Sequence, residues 1–336
     1  MISPRTDREP QVSEPTYSIV VPVRNEEETL RELYDRLCSL LNSLDGPAEV
    51  ILVDDGSSDS SYLLMLDIRA LDSRFKVVGL SRNFGHQIAI TAGLDLARGD
   101  AVIVMDADLQ HPPEVILQMA DRWRDGYDIV YGVMEERTEN SFKRLSARAF
   151  YWVLGRLTDV EVPRSAGDFR LVDRKALDAF RAMRERNRYI RGMFSWIGYR
   201  QIGVPYHCPP RFAGRSKYTL PKMLRLALDG IVGFSNLPLQ LVLNAGFIVS
   251  AASFLLGIVA IVVKVAGIFA VPGWASIVVI ISFTAGVQLV VLGVMGEYVA
   301  RIYDEVRLRP LYLLRNLHGF DEEQIAALER RNLAVR

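Results

Sequence analysis

Short apolar segments alternate with longer amphipathic segments through the first third of the chain. Each apolar segment is long enough for one buried strand, and a stretch with helical spacing follows it. This alternation predicts βαβ units on a parallel sheet with right-handed crossovers. The predicted strands are Tyr17 to Val23, Glu49 to Val53, the FKVVGL stretch at 75–80 and Ala101 to Met105, and the intervening helices end near Leu44, Leu71 and Ala97.

The first helix is predicted to begin directly after the first strand. Asn25 is a favourable N-cap residue, and three glutamates follow it at positions 26–28. Acidic side chains in a first turn are stabilised by the helix dipole.

Polar residues follow each of the four predicted strands. They are RNEE after Val23, DDGSSD after Val53, SRN after Leu80 and DADLQ after Met105. The carboxyl ends of parallel strands meet at one edge of a sheet, where open α/β folds bind ligands. A nucleotide site is therefore expected there. No glycine-rich phosphate loop follows the first strand, so a metal ion and basic side chains are expected to hold the phosphates, with Arg82, Arg211 and Lys217 as candidates.

Two aspartates at the end of the fourth strand are the candidate metal ligands. Asp106 and Asp108 are two positions apart, and carboxylate oxygens suit Mg²⁺ or Mn²⁺, which complete their coordination with substrate phosphates and water. A solvated acidic turn that caps the helix after Pro112 is the alternative. Asp54 ends the second strand and is equally compatible with accepting hydrogen bonds from a base or ribose and with an Asx turn into Gly56.

The last third of the chain is strongly apolar. Between Leu241 and Gly296 the only formally charged residue is Lys264. At about 1.5 Å per residue, a helix over Leu239 to Val263 would cross a ~30 Å hydrocarbon core, and Ala275 to Met295 or beyond would form a second span. The arginines after the second span and the basic residues before the first predict cytoplasmic termini.

Two basic amphipathic segments precede the apolar region. ENSFKRLSARAFYWVLGRL carries aromatic and aliphatic residues at helical spacing among arginines and lysines, and LPKMLRLALDGIVGFSNLPL leads into the first span. Such segments are typical of helices that lie on an anionic membrane surface. For the first segment, an ordinary packed surface helix is the alternative.

Composition narrows the functional classes. The 336 residues carry 40 basic and 40 acidic side chains, which argues against binding to nucleic acid through net charge. The two cysteines give neither a disulfide framework nor a metal-binding spacing.

The expected domains are a disordered lead-in at 1–15, a catalytic domain at 16–218, an interface helix at 219–238, a transmembrane hairpin at 239–300 and a cytoplasmic tail at 301–336.

The ordered motifs VPVRNEE, VDDGSSDSS, SRNFGHQ, MDADLQHPPE, GDFRLVDR and RFAGRSKY resemble those of the family 2 glycosyltransferases. They are most similar to the polyprenyl-phosphate group, which contains bactoprenol glucosyltransferases and dolichol-phosphate mannose synthases. The resemblance covers roughly Tyr17 to Arg315. It implies a GT-A fold, which is an α/β fold with a Rossmann-like mixed sheet and helices on both faces.

The resemblance also implies roles for individual residues. It implies that Pro22, Glu26 and Asp54 contact the nucleoside. It implies that Asp106 and Asp108 bind the metal and the sugar diphosphate, with Gln110 in the same loop. It also implies that Arg211, Ser216 and Lys217 contact phosphate and that Asp168 lies on the acceptor side of the reaction centre. From position alone, the favoured interpretation of Asp168 is a polar residue at the start of a strand over Phe169 to Val172, satisfied by Arg170 or Arg174. The RFAGRSKY segment is equally a basic loop that meets lipid headgroups.

The expected function is metal-dependent, inverting transfer of a hexose to a polyprenyl phosphate in a bacterial plasma membrane. UDP-glucose and undecaprenyl phosphate are the expected substrates, and a lipid-linked monosaccharide for the cell envelope is the expected product. The resemblance also suggests that the protein forms a homo-oligomer. The alternatives are a synthase that uses GDP-mannose, a processive polysaccharide synthase, and a non-catalytic membrane scaffold that binds nucleotide sugars. The Gln-x-x-Arg-Trp pattern of processive enzymes does not occur in the chain.

Overall fold

A computed structural model describes residues 15–134, 166–209, 237–266, 273–322 and 324–326. The chain divides into two compact units. One contains a sheet with its helices and includes the segment from residue 309 onwards, and the other contains two long apolar helices.

The predicted alternation of strands and helices is confirmed. The first and third predicted strands agree with the structure at both ends, and the second and fourth agree to within one residue. The elements are β1 Tyr17–Val23, α1 Leu30–Ser43, β2 Ala48–Asp54, α2 Ser61–Leu71, β3 Phe75–Leu80, α3 His86–Leu96 and β4 Ala101–Val104.

The rest of the sheet unit adds four strands and three helices among the described residues. In chain order they are α4 Val115–Arg124, β5 Ile129–Met134, β6 Ala166–Asp173, α5 Arg174–Ala182, α6 Ile190–Ile197, β7 Gln201–Tyr206 and β8 Leu314–His318.

The eight strands form one mixed sheet in the order β7-β5-β6-β4-β1-β2-β3-β8. Strands β1 to β4 are mutually parallel, whereas β6 runs antiparallel to both β4 and β5, and β8 runs antiparallel to β3. Because β6 is reversed, its amino-terminal end lies at the edge where β4 ends. That reversal brings residues near 168 to the edge that carries the polar clusters.

Helices cover both faces of the sheet. Ile19 and Val21 on β1 belong to a buried apolar cluster with residues of α1 and α4. Val20 points to the opposite face, where a Cβ at Gly93 of α3 would lie 2.3 Å from its Cγ1. The expected α/β architecture is therefore confirmed.

The start of the first helix differs from the prediction. Helix α1 begins at Leu30, with Thr29 at the N-cap position. Asn25 instead has a left-handed backbone, with φ of 53°, and its side-chain oxygen accepts a hydrogen bond from the Ser58 amide at 2.8 Å. The side chain that was expected to cap a helix therefore ties the loop after β1 to the loop after β2.

Strand β8 was not predicted. It pairs with β3 at the sheet edge, and the Tyr62 hydroxyl lies 3.1 Å from His318 Nε2. Just before this strand, the buried Tyr312 donates a hydrogen bond to Asp95 at 2.9 Å. The segment that follows the second apolar helix is therefore part of the sheet unit.

The second unit contains α7 Leu237–Val265 and α8 Trp274–Val306. Both are long and apolar enough to cross a membrane. The candidate membrane-spanning stretches are Leu239–Val259 and Val279–Val306. Their large apolar side chains are exposed, as shown by Phe254 and Phe283. A soluble helix would bury such residues, so the protein carries two candidate membrane-spanning helices.

Several predictions lie outside the described residues. They are the lead-in at 1–14, the first basic amphipathic segment, most of the second one and the RFAGRSKY segment at 211–218.

Candidate active site at the carboxyl edge of the sheet

Hydrogen bonds join the loops after β1 and β2 at the carboxyl edge. The Asn25 amide donates to Ser57 Oγ at 3.1 Å, and the Glu26 amide donates to Ser61 Oγ at 2.8 Å. Glu27 accepts a hydrogen bond from the Ser60 amide at 2.9 Å. The serines of VDDGSSDSS therefore fix the acidic loop RNEE in place.

The loop after β2 is also joined to the loop after β3. Asp55 accepts hydrogen bonds from the amides of Phe84 at 2.7 Å and Gly85 at 3.1 Å. Burial outweighs these hydrogen bonds and raises the pKa of Asp55 above its usual value. Gly56 has φ of +66°, and a Cβ there would lie 2.7 Å from the Asn83 amide nitrogen. Only glycine fits this close approach.

The loop after β4 is held by a buried histidine. The Asp106 amide donates to His111 Nδ1 at 3.0 Å. The His111 ring stacks on Phe169 with a centroid distance of 4.8 Å and meets the edge of Tyr206 at 6.1 Å. Leu109 lies between Asp106 and His111 in the chain. It is buried and has φ of 60°, a backbone conformation that costs energy for a leucine. The tertiary contacts therefore impose a strained geometry on this loop.

Asp106 and Asp108 present carboxylate oxygens at this edge. Asp106 Oδ1 is buried and has no hydrogen-bond partner among the described residues, and Asp108 Oδ1 accepts from the Gln110 amide at 3.1 Å. A buried carboxylate oxygen without a donor fits the coordination of a cation. In the described part of the chain, no group of three or more His, Cys, Asp or Glu side chains is arranged to hold an ion. Substrate phosphates and water would complete such a site.

Asp168 lies beside the end of β4. In the antiparallel ladder Val104 pairs with Arg170, and the same register continued by two residues sets Asp106 opposite Asp168. Asp168 is 5% exposed. Arg191 on α6 donates to it through Nε at 2.9 Å and Nη2 at 3.2 Å.

Asp168 is held in its ionised form. Burial alone would raise the pKa of this carboxyl. The Arg191 guanidinium and the hydrogen bonds from His86 and Arg191 outweigh burial and hold the pKa well below its usual range. Arg191 is the hydrogen-bonded partner of Asp168. Of the two partners suggested from the sequence, Arg170 donates to the Gly167 carbonyl and interacts with Asp168 through its charge, and Arg174 donates to the carbonyls of Ala97 and Gly99.

His86 links the two aspartates. Its Nε2 lies 3.4 Å from Asp106 Oδ1 and 3.5 Å from Asp168 Oδ2. Burial disfavours the charged imidazolium, but the hydrogen bond to Asp168 and the negative charges of both carboxylates prevail and raise the pKa of His86 to about 9. Without a bound metal ion, the protonated imidazole would lie between the carboxylates of Asp106 and Asp168.

The predicted nucleoside-contacting residues lie on the β1 and β2 side of this edge. Pro22 is buried in β1 and pairs with Val53. Glu26 Oε2 lies 3.3 Å from the Thr29 hydroxyl, within its own loop. Asp54 Oδ1 accepts from the Ser57 amide at 3.0 Å. Asp54 therefore bonds within its own loop, but to the amide one residue beyond the Asx turn into Gly56 suggested from the sequence.

Of the predicted phosphate-binding residues, Arg82 lies in the part of the chain that the structure describes. Arg82 is exposed in the loop after β3, with its guanidinium 4.1 Å from the centre of the Phe84 ring. Arg211, Ser216 and Lys217 lie outside the described residues.

Sequence reasoning missed four side chains that shape the site: His86, Gln87, His111 and Arg191. The first three occur within the motifs SRNFGHQ and MDADLQHPPE, so their position in polar segments directly after strands was an available signal. Arg191 follows no strand, and its contact with Asp168 depends on how α6 packs.

Comparison with known proteins identifies the family. The family described as Glycosyl transferase family 2 matches residues 18–181. YkcC of Bacillus subtilis (strain 168), named as an uncharacterized glycosyltransferase, is 44% identical over 310 residues, or 92% of this chain and 96% of the relative. The chain belongs to glycosyl transferase family 2. The resemblance seen in the motifs is confirmed, and this family 2 protein is a glycosyltransferase.

Two further proteins are similar to this chain, one by sequence and one by structure. The SfII prophage-derived bactoprenol glucosyl transferase of Shigella flexneri is 37% identical to this family 2 glycosyltransferase over 302 residues, which cover 90% of this chain and 98% of the relative. Among solved structures, glucosyl-3-phosphoglycerate synthase from Mycobacterium tuberculosis, determined with Mn²⁺, UDP-glucose and phosphoglyceric acid, is 17% identical. That match covers 65% of this chain and 79% of the other, with a TM-score of 0.45.

Proposed function

We propose that this glycosyltransferase transfers a hexose from a nucleotide sugar to a polyprenyl phosphate with inversion at the anomeric carbon. The proposal names UDP-glucose and undecaprenyl phosphate as the substrate pair. The observation that carries it is the acidic edge formed by Asp106, Asp108 and Asp168 in a chain that also has two apolar helices of membrane-spanning length. The Shigella relative named for bactoprenol glucosyl transfer supports a lipid carrier as acceptor.

The residues of the β4 loop fit a divalent cation. Asp106, Asp108 and Gln110 would hold Mg²⁺ or Mn²⁺, since oxygen donors suit these ions and Asp106 Oδ1 is buried without a hydrogen-bond donor in the described part of the chain. When bound, such an ion neutralises the negative charge that develops on the departing nucleoside diphosphate. His111 contributes by holding the loop through the Asp106 amide.

Asp168 is proposed as the catalytic residue on the acceptor side. A lipid phosphate is already anionic near neutral pH, so the reaction needs little general-base assistance. Arg191 and His86 keep Asp168 ionised, and a fixed negative charge stabilises the positive charge that develops on the sugar ring. The role proposed for Asp168 is therefore electrostatic stabilisation and positioning, not proton removal.

The remaining substrate contacts follow from the family motifs. Pro22, Glu26 and Asp54 are proposed to contact the nucleoside. Arg82, Arg211, Ser216 and Lys217 are proposed to meet the phosphates. Two anionic substrates must approach each other in this reaction, so guanidinium and ammonium groups are needed to offset their repulsion.

The proposed location is a bacterial plasma membrane. The helices α7 and α8 would cross the bilayer, and the basic segments at 139–157 and 219–238 would lie on its surface. Both termini would be cytoplasmic, where nucleotide sugars are made. The domain limits derived from the sequence, with a catalytic domain at 16–218 and a hairpin at 239–300, belong to the same proposal, as does a homo-oligomeric state.

One assay separates this function from its alternatives. Purified full-length protein is mixed with a radiolabelled nucleotide sugar and a short-chain polyprenyl phosphate, over a panel of UDP- and GDP-sugars. The proposal predicts a lipid-linked monosaccharide, with UDP-glucose as the best donor. A preference for GDP-mannose would indicate a mannose synthase, a polymer would indicate a processive synthase, and no product with any donor would indicate a non-catalytic scaffold.

A further inference from the structure

Gln87 makes two different hydrogen bonds at the edge of the proposed active site. Its side-chain nitrogen Nε2 donates to Asp168 Oδ2 at 3.3 Å, and its side-chain oxygen Oε1 accepts from the Ile190 amide at 2.9 Å. A carboxylate only accepts and a backbone amide only donates. The primary amide of glutamine satisfies both at once, and only in one orientation.

The contact with Ile190 lies at the start of helix α6. The first amides of a helix have no partner within the helix. The side chain of Tyr189, at the N-cap position, makes no capping hydrogen bond. Gln87, which belongs to α3, therefore supplies a cap to α6 from another helix.

Capping α6 also places the guanidinium that pairs with Asp168. Arg191 is the second residue of α6, directly after the capped Ile190. Its Nε and Nη2 bond to the two carboxylate oxygens of Asp168, and Gln87 Nε2 bonds to Oδ2 from a different element. Gln87, Asp168 and Arg191 thus form a closed set of contacts that joins α3, β6 and α6.

The body of α6 is fixed by packing. Phe194 stacks on Phe180 of α5 with a centroid distance of 4.5 Å and an interplanar angle of 9°, and both rings are buried. The Arg170 guanidinium lies 4.9 Å from the centre of the Phe194 ring. Because this aromatic contact anchors the middle of the helix, removing Gln87 would release the first turn of α6 and leave its body in place.

We infer that Gln87 is a positioning residue that acts through Asp168, because its amide fixes the carboxylate and the first turn of α6 in a single geometry. The inference rests on the proposed role of Asp168 in sugar transfer. Gln87 itself need not touch the substrates. A small displacement of Asp168 relative to the anomeric carbon is expected to slow turnover while the nucleotide sugar still binds.

Two substitutions at this position separate its two contacts. Gln87→Ala removes both hydrogen bonds. Gln87→Glu keeps an acceptor for the Ile190 amide but turns a negative charge towards Asp168. Gln118, an exposed glutamine on α4, supplies the matched control Gln118→Ala.

We expect both Gln87 variants to lower kcat by about 10- to 100-fold, with KM for the nucleotide sugar within about twofold of wild type. Gln118→Ala should leave both constants unchanged. In an Asp168→Asn background, measured under single-turnover conditions, Gln87→Ala should lower the rate by less than about twofold further, because the group through which it acts is already lost. Wild-type kcat in either Gln87 variant, or an undiminished effect of Gln87→Ala without Asp168, would overturn the inference.

Hydrogen exchange provides a readout that does not need activity. The peptide from Tyr189 to Phe194 should exchange faster in Gln87→Ala than in wild type, and Gln87→Glu should retain most of the protection. Equal exchange in all three proteins would overturn the inference. If the wild type formed no lipid-linked sugar while the exchange pattern held, the proposed function would fail and the positioning contact would stand.

Discussion

The backbone amide of Asp106 donates a hydrogen bond to Nδ1 of His111, with a nitrogen–nitrogen distance of 3.0 Å. Nδ1 is therefore the acceptor in this hydrogen bond. Face-to-face stacking on Phe169 fixes the plane of the same ring. One buried imidazole thus joins the loop after β4, which carries Asp106 and Asp108, to strand β6, which carries Asp168.

Replacing His111 with phenylalanine isolates that hydrogen bond. His111→Phe keeps an aromatic ring for stacking on Phe169 but leaves the Asp106 amide without its acceptor, at a cost of about 1–3 kcal/mol. We expect the Mn²⁺ concentration for half-maximal sugar transfer to rise about 10- to 100-fold, as it does when partners of metal ligands are lost. Titration of activity with Mn²⁺ measures the shift.

A second variant is the control for the ring itself. His111→Asn provides a side-chain acceptor without an aromatic surface, so it should lose stability through the missing stack and retain more of the Mn²⁺ response. If His111→Phe required no more Mn²⁺ than wild type, the imidazole would not organise the ligand loop.

The packing of α3 on the sheet gives a test of the fold that is independent of catalysis. A Cβ at Gly93 would lie 2.3 Å from Val20 Cγ1 and 3.1 Å from Val53 Cγ2. Gly93→Ala should therefore lower the free energy of unfolding by about 1–3 kcal/mol. The double variant Gly93→Ala/Val20→Ala should recover part of that loss, because removal of the valine methyl groups makes space. Denaturant unfolding of the full chain measures both, and equal stability of Gly93→Ala and wild type would contradict this packing.

The parallel part of the sheet could be predicted because its strands are buried on both faces. An apolar run such as FKVVGL, bounded by Arg74 and Ser81, admits few alternatives to a central strand. The positions of Asp106 and Asp108 at the carboxyl edge followed directly from the strand pattern. By contrast, β8 has the sequence LRNLH, lies at the sheet edge and keeps polar side chains exposed, so its hydrophobic pattern is too weak to reveal it.

The start of α1 and the pairing of Asp168 with Arg191 could not be predicted because both depend on tertiary contacts. Asn25 has the right side chain for an N-cap, but the serines of the next loop offer it tertiary hydrogen bonds, and these decide its conformation. Arg191 lies 23 positions after Asp168 and reaches it only because α6 packs against β6. Contacts between distant segments are set by packing, which local patterns do not encode.

The C-terminal segment is predicted to contribute to the stability of the sheet unit. Tyr312 donates to the buried carboxylate of Asp95, which also pairs with Arg184 at 3.1 Å. Removal of a hydrogen bond to a charged group costs about 1.5–3 kcal/mol, so Tyr312→Phe should lower the unfolding free energy by that amount. Hydrogen exchange of the peptide over Leu314–His318 should also become faster. Unchanged stability and unchanged exchange together would show that this segment does not hold β8 on the sheet.

The proposed topology can be tested by labelling cysteines in intact cells. With Cys38 and Cys208 replaced by serine, Gly273→Cys places a thiol in the connection between α7 and α8, and Glu322→Cys places one after β8. A membrane-impermeant maleimide should label the first variant in intact cells and the second only after permeabilisation. The opposite pattern would reverse the predicted orientation.

The proposed function depends most on Asp106 and Asp108, which would hold a divalent ion whose charge would stabilise the departing nucleoside diphosphate. The most direct test measures the formation of lipid-linked sugar by the full-length protein after exhaustive chelation and again after Mn²⁺ or Mg²⁺ is restored. Wild type and the exposed control Asp125→Asn should fall to background and recover, whereas folded Asp108→Asn should stay inactive at every metal concentration. Undiminished transfer after chelation, or normal metal-dependent activity in Asp108→Asn, would contradict the account.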